Sequence, residues 1–279
     1  LLRTDRIRSS DGTAIAFAEW GNPRGAEVLL VHGWLFSSLA FKRQLDGELA
    51  DRCRIVAYDL RGHGDSSAPA GDYGYANGKL WADDLQCVLE ATQMRQPVIV
   101  GWSLGGRVAA HYAYVYGKRN IAALVFVSTR ILQPPEPVTG PDSAEPGILS
   151  DDLRTMLPIT AGFIRKCTRA PLSSAEFEEF FGAAMTVSPS ARRGASLWHV
   201  EYGSYFETLQ LPALVVHGSC DTLVLPRAAE VLAGRIPGAQ LRLYRQSGHM
   251  PFWEEAAVFN ADLAEFAGRH WAVEAQNGI

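Results

Sequence analysis

Cysteine is scarce in this chain, and the few present share no spacing that suggests a common task. Cys53, Cys87, Cys167 and Cys220 are the four in 279 residues, and no two form a C-x-x-C pair. Scattered thiols of this kind read as buried or inert, which suits a reducing, cytoplasmic setting. An excess of charge of one sign is missing too. The 26 Lys and Arg face 30 Asp and Glu, for a net charge of -4 without a basic block or acidic tail. Nucleic acid and anionic membrane are therefore not expected partners. No apolar run approaches the roughly 20 residues of a transmembrane helix. The opening stretch "LLRTDRIRSSDG" is too charged for a secretory signal. Among the 7 histidines neither H-x-H-x-D-H nor H-E-x-x-H occurs, so no metal is expected. No G-x-G-x-x-G opens a helix after a strand, so no dinucleotide is expected, nor any other cofactor.

What the chain does have is short, continuous apolar runs between longer helical patterns. The runs are "EVLLVHG", "RIVAYDL", "PVIVGWS" and "ALVFVST", then, after a gap, "ALVVHGS" and "LRLYRQSG". Uninterrupted Val, Ile and Leu indicate strands buried on both faces, as in a parallel sheet covered by helices. The opening "TDRIRSSDGTAIAFAEWG" reads as two strands around a turn at Asp11-Gly12. Trp81, Leu85 and Leu89 share one helical face. Further helices are expected after Ser103, near Pro226 and over Glu254 to Gly268. The pattern breaks between Ile131 and Leu211. There "QPPEPVTGP" leaves the sheet, and Ser173 with Glu176 is spaced as a capping box. The expected organisation is α/β, with a core of residues 1–130 and 211–279 and a helical cap insertion over 131–210. Phe163, Phe177, Phe180, Phe181, Trp198, Tyr202, Tyr205 and Phe206 enrich that insertion in aromatics.

The chemistry concentrates around Ser103. "GWSLG" is a G-x-S-x-G sequence with a buried strand before it and a small-residue helix after it. Side chains at Gly101 and Gly105 would clash where strand and helix nearly touch. The sharp turn pushes the serine oxygen beyond the strand end and aims the amide of Leu104 into the same space. Serine needs a base, and His249 in "QSGHMPFWEE" follows the last strand. The base needs a carboxylate to fix its tautomer, and Asp221 in "VVHGSCDTLVLP" follows the preceding strand. The Trp34 amide, after His32-Gly33, is the second expected oxyanion donor. His32 reads as a structural brace for that loop. "DLRGHGDSS" reads as a structural loop in which Arg61 and Asp59 pair.

Together these residues resemble the α/β-hydrolase superfamily, from H-G-W through D-x-R-G-H-G-x-S and G-W-S-L-G-G to G-x-x-D and G-H. The resemblance implies an α/β-hydrolase fold, a mostly parallel sheet flanked by helices with a helical cap. It implies a Ser103, Asp221, His249 triad and oxyanion donors at Trp34 and Leu104. A serine nucleophile argues against epoxide hydrolases and dehalogenases, and the lack of G-P-G argues against carbon–carbon bond hydrolases. Cofactor-free haloperoxidases and perhydrolases are similar in style, but Leu35 stands where they carry a proline. "GWSLGG" also resembles the elbow of capped esterases and metal-independent N-acyl-homoserine lactonases. The expected activity is ester hydrolysis extending to lactones, hence quorum quenching, on a small substrate with an apolar acyl chain. Leu35, Phe163, Trp198 and Tyr202 are the expected substrate contacts. The alternatives are a perhydrolase on the same triad and a hydrolase fold that binds a ligand without turnover. Both a monomer and a small homo-oligomer are compatible with the sequence.

Overall fold

A computed structural model describes residues 1–275 apart from Asp46, Pro135, Glu136 and Ala144. Eight strands form one sheet: β1 (Arg3–Arg8), β2 (Ala14–Gly21), β3 (Ala26–Val31), β4 (Cys53–Tyr58), β5 (Val98–Trp102), β6 (Ala123–Val127), β7 (Ala213–Gly218) and β8 (Gln240–Tyr244). Their order is β1-β2-β4-β3-β5-β6-β7-β8. The first two strands pair antiparallel around the expected turn, and β2 joins β4 antiparallel. Every later pairing is parallel. The apolar runs are buried for the reason their composition implied. Helices cover both faces of the central strands, so β5, β6 and β7 have no exposed residue. The antiparallel edge strand β1 is the contrast, since most of it faces solvent.

Among the described residues seven longer helices accompany the sheet: α1 (Gly78–Thr92), α2 (Leu104–Tyr116), α3 (Leu153–Lys166), α4 (Ser174–Thr186), α5 (Pro189–Leu197), α6 (Arg227–Arg235) and α7 (Ala256–Ala275). Trp81, Leu85 and Leu89 lie on the buried face of α1. The final helix is longer than expected, and a separate turn, Pro251–Glu254, precedes it. No helix among the described residues is long and apolar enough to cross a membrane.

The order of the strands places the site. From β3 the chain moves out to β4 on one side and then returns to β5 on the other. Val31 of β3 stands opposite Gly101 of β5, so the two strands end level. The loops leaving them diverge at this switch point, where open α/β sheets have a ready-made crevice. "HGW" leaves one strand and "SLGG" the other.

Helices α3, α4 and α5 all lie between β6 and β7. Helix α4 starts with the expected capping box, in which Ser173 and Glu176 satisfy each other's backbone N–H groups. Arg192 of α5 is fully buried and ties this segment together. Its guanidinium donates to the carbonyls of Val187, Ile148 and Ala184 and to Thr160 Oγ1. Pro135 and Glu136 of the proline-rich exit lie outside the described residues.

Candidate active site

Ser103 sits between β5 and α2 with φ 53° and ψ -112°, a conformation rare for a residue with a side chain. Its surroundings hold it there. The Ser103 N–H donates to Val127 O at 2.9 Å. Its carbonyl accepts from Gly106 N, Arg107 N and the Thr129 hydroxyl, the last at 2.7 Å. The glycines leave the space this needs. A Cβ on Gly101 would lie 2.4 Å from Gly105 O, and one on Gly105 would lie 2.1 Å from Val31 O. Gly106 has its own reason, since its Cβ would meet Thr129 Oγ1 at 2.5 Å.

Asp221 and His249 come together as a buried pair, with His249 Nδ1 2.7 Å from Asp221 Oδ2. A carboxylate can only accept, so Nδ1 carries the proton and Nε2 keeps its lone pair. The two loops are joined by a hydrogen bond of 2.9 Å from Cys220 N–H to Ser247 O. Trp102 Nε1 donates to His249 O at 2.8 Å, which fastens the histidine loop to the residue before Ser103. Gly248 N–H and the Ser247 hydroxyl donate to Glu254 and Glu255, each at 2.6 Å.

All four acceptor positions of Asp221 are used. Oδ1 accepts from Leu223 N and Val224 N. Oδ2 accepts from His249 and also lies 3.0 Å from His217 Nε2, which is shared with Val224 O. Burial pushes the Asp221 carboxyl up. The facing His249 and the bonds from His217 and His249 outweigh it and hold the group well below the usual carboxylate range. His217, four residues before Asp221 on a buried strand, was not singled out from the sequence. An apolar run offers no mark that distinguishes such a histidine from an ordinary core residue.

A cavity of about 400 Å³ opens at the sheet edge. Trp34, Ser103, Leu104, Arg107, Arg130 and Val224 contribute from the sheet side. Ile148, Leu149, Ala195 and Ser196, with Glu145 and Pro146, contribute from the segment between β6 and β7. The structure thus brings Ser103 and both expected oxyanion residues to one wall. Asp221 and His249 are not part of that wall; they are buried, and the His249 ring lies 5.8 Å from that of Trp102.

None of the four expected substrate contacts lines this cavity, although Trp198 and Tyr202 line an adjoining smaller hollow that shares Arg107, Arg130 and Ser196 with it. Leu35 is completely buried, at φ 66°, because the loop turns its side chain into the core. Phe163 packs edge-on against Trp34 at 5.7 Å and lines a separate hollow. Trp198 is stacked on Trp81 at 5.8 Å, which joins the segment to α1. Tyr202 belongs to an aromatic cluster with His111, Tyr114, Tyr205 and Phe206. Trp34 is the one aromatic residue in the cavity wall. The aromatic residues of this part of the chain pack the segment, and the cavity wall divides evenly between aliphatic residues and Trp34 with polar or charged ones.

Two other expectations need correction. Arg61 does not pair with Asp59. It is fully buried and makes a two-pronged contact with Asp84, both bonds at 2.7 Å, plus one to Asp11. Asp59 instead accepts the backbone N–H groups of Ser38 and Asp65. Cys220 is exposed, whereas Cys53 and Cys167 are buried. His32 does brace its loop: Leu60 N–H donates to Nε2 at 2.9 Å, and Nδ1 lies 2.8 Å from Gly33 O. Among the described residues no three His, Cys, Asp or Glu side chains are grouped as metal ligands.

Comparison with known proteins gives a consistent result. The family model described as the alpha/beta hydrolase fold matches residues 27–256. A crystal structure from Burkholderia cenocepacia, assigned as an aryl esterase, superposes with a TM-score of 0.91 at 33% identity, covering 97% of this chain and 100% of that one. The non-heme chloroperoxidase of Streptomyces lividans is 30% identical over 285 residues, covering 93% of this chain and 98% of that protein. The N-acyl homoserine lactone degrading enzyme Est816 superposes with a TM-score of 0.74 at 22% identity, covering 94% of this chain and 100% of that one, a likeness of fold alone.

Proposed function

The chain belongs to the α/β-hydrolase fold family, and from that premise we propose that it is a serine hydrolase of carboxylic esters that works through an acyl-enzyme. The observation that carries this reading is the arrangement at the sheet edge. A strained Ser103 shares a cavity wall with Trp34 and Leu104, and the Asp221–His249 pair is tied to the adjoining residue, Trp102. In the proposed cycle His249 Nε2 takes the Ser103 proton as Oγ attacks the ester carbonyl. The amides of Trp34 and Leu104 hold the resulting oxyanion, and each such donor is worth about 2.7–4 kcal/mol. The imidazolium is stabilised by Asp221 and protonates the departing alkoxide. His249 then removes a proton from water, which attacks the acyl-enzyme, releases the acid and restores Ser103.

The same chemistry opens lactones, with the leaving hydroxyl still tethered to the acyl group. N-acyl-homoserine lactones are within this reading, and quorum quenching would be its consequence. The aliphatic walls at Ile148, Leu149, Ala195 and Val224 suit a methylene chain, and each buried methylene contributes about 0.8 kcal/mol. A perhydrolase on the same triad is the less favoured reading. Leu35 at φ 66° occupies backbone space that a proline ring, fixed near φ −65°, cannot share.

The test is labelling and turnover in the purified protein. A fluorophosphonate should add to Ser103, and Ser103→Ala should lose both the label and the hydrolysis of p-nitrophenyl esters. Full turnover of an ester and a lactone by Ser103→Ala would refute the proposal. Mass spectrometry for ring-opened acyl-homoserine decides the lactone extension, and bromination of a dye in acetate and peroxide decides the perhydrolase reading.

A further inference from the structure

Two arginines share the wall of the Ser103 cavity, and neither is neutralised by a carboxylate among the described residues. Arg107 lies one turn into α2, four residues after Ser103, and Arg130 follows the Thr129 that holds the Ser103 carbonyl. Both also line an adjoining smaller hollow, together with Ser196, Trp198, His199 and Tyr202. Among the described residues the single acceptor for the Arg107 guanidinium is Trp198 O, and its carbon stands 4.7 Å from the centre of the Trp198 ring. Arg130 is exposed, and among the described residues its one side-chain bond is to Thr139 Oγ1 at 2.9 Å. The carboxylate in the cavity wall, Glu145, lies 4.0 Å from Lys166 Nζ.

We propose that Arg107 and Arg130 form an anion subsite, so that the preferred substrate is an ester or lactone bearing a carboxylate a few methylenes from the scissile carbonyl. The proposal rests on the hydrolase reading of Ser103 and names the substrate class of that site. A guanidinium presents five donors in a planar fork that matches a carboxylate in two-pronged fashion. One of those donors is used on Arg107 and one on Arg130. Holding two cations at one cavity is unfavourable unless something offsets it. Burial pulls Arg107 down to about 10, against an opposing contribution from Tyr202, and the neighbouring Arg130 charge adds a smaller part in the same direction as burial. A bound carboxylate would relieve both costs, and it would do so only at this edge of the cavity. The aliphatic residues Ile148, Leu149 and Val224 would cover the methylenes between the two polar ends.

The experiment compares matched esters on the full chain. On the acyl side, p-nitrophenyl hydrogen glutarate is set against p-nitrophenyl valerate. On the alcohol side, 4-acetoxybenzoate is set against phenyl acetate. In the wild type at least one acid should exceed its neutral partner in kcat/KM by tenfold or more, with the difference shrinking as salt rises. The arm that shows the preference locates the carboxylate on the acyl or the leaving side. Arg130→Gln, which alters an exposed residue, should reduce that acid-over-neutral preference at least fivefold. Arg107→Gln should reduce it at least as much. A wild-type preference for the neutral ester in both arms would overturn the subsite, as would an unchanged acid preference in Arg130→Gln. Ser103→Ala separates the two failures. If it keeps neutral-ester turnover the hydrolase reading falls, whereas Ser103-dependent turnover without acid preference removes the subsite alone.

Discussion

Two buried neutral imidazoles next to the oxyanion loop should make this fold sensitive to mild acid. His32 and His63 are 0% and 1% exposed, with their rings 5.3 Å apart. Burial pulls His32 down to about 4 despite its bond to Gly33 O. Burial, with the neighbouring His32 adding to it, pulls His63 down to about 3. Both have an ordinary value of 6.5 in the unfolded chain. A base whose folded-state value is depressed is neutral in the fold and protonated in the unfolded chain at intermediate pH. Its contribution is fully present above pH 6.5 and is lost as pH falls towards 4 for His32 and 3 for His63. At pH 5 each ring should cost about 2 kcal/mol, about 4 kcal/mol together, from 1.36 kcal/mol per unit of difference. That is a large part of a typical margin of about 5–15 kcal/mol. Activity should fail with it, because a proton on His32 Nε2 displaces the Leu60 N–H that fixes the HGW loop. The assay is urea unfolding followed by tryptophan fluorescence at pH 7.5, 6.5, 5.5 and 5.0. His63→Asn keeps a donor for Arg61 O, the partner of Nδ1 at 3.0 Å, and removes one titration. Its loss between pH 7.5 and 5 should be smaller than wild type by about 2 kcal/mol. Equal losses in the two proteins, or a flat wild-type profile, would refute the reasoning.

Four further outcomes follow from the geometry. Gly105→Ala places a Cβ 2.1 Å from the Val31 carbonyl, so it should cost about 3 kcal/mol or more and abolish ester turnover. Gly182→Ala is the control, with nothing within 4 Å of the new Cβ in the exposed middle of α4, and should raise stability by about 0.5–1 kcal/mol. Asp84→Asn removes the two-pronged carboxylate partner of the fully buried Arg61 and leaves it Asp11 alone, so it should cost about 3 kcal/mol, measured by denaturant unfolding at pH 7. Asp221→Asn should keep the fold at pH 7 and lower kcat by about 10⁴, since the amide no longer fixes the His249 tautomer. A loss under tenfold would remove Asp221 from the proposed mechanism.

The sheet was legible because burial on both faces leaves a simple mark. A strand covered on each side needs apolar residues at every position, and "VIVGW" and "ALVFV" have them. The elbow was legible for a related reason: close backbone contact excludes side chains, and glycine is what remains. The close approach of Thr129 to Gly106 could not be read, because it joins the first turn of α2 to the residues that follow β6. Charge pairing was legible least. Arg61 has Asp59 two residues away, yet it pairs with Asp84 from α1. Short sequence separation says little about partners when the chain turns sharply, as it does through the glycines at 62 and 64.

Aromatic residues misled for a reason that bears on substrate choice. A ring in a segment that crosses a sheet edge can face the cavity or anchor the segment, and sequence treats the two alike. Trp198, Tyr202 and Phe163 anchor it. The cavity is then lined by Trp34, aliphatic side chains, two serines, Glu145 and the two arginines. A wall of aromatics would have favoured any apolar acyl chain of suitable length. A wall of aliphatic residues with two guanidiniums at one edge can discriminate by charge, because a misplaced neutral group leaves those cations without a partner. The rings expected to meet the substrate instead pack the segment onto the sheet, and Trp198 also takes Arg107 through its carbonyl and its ring, so under the proposed subsite charge selection falls to the remaining guanidinium donors of Arg107 and to Arg130.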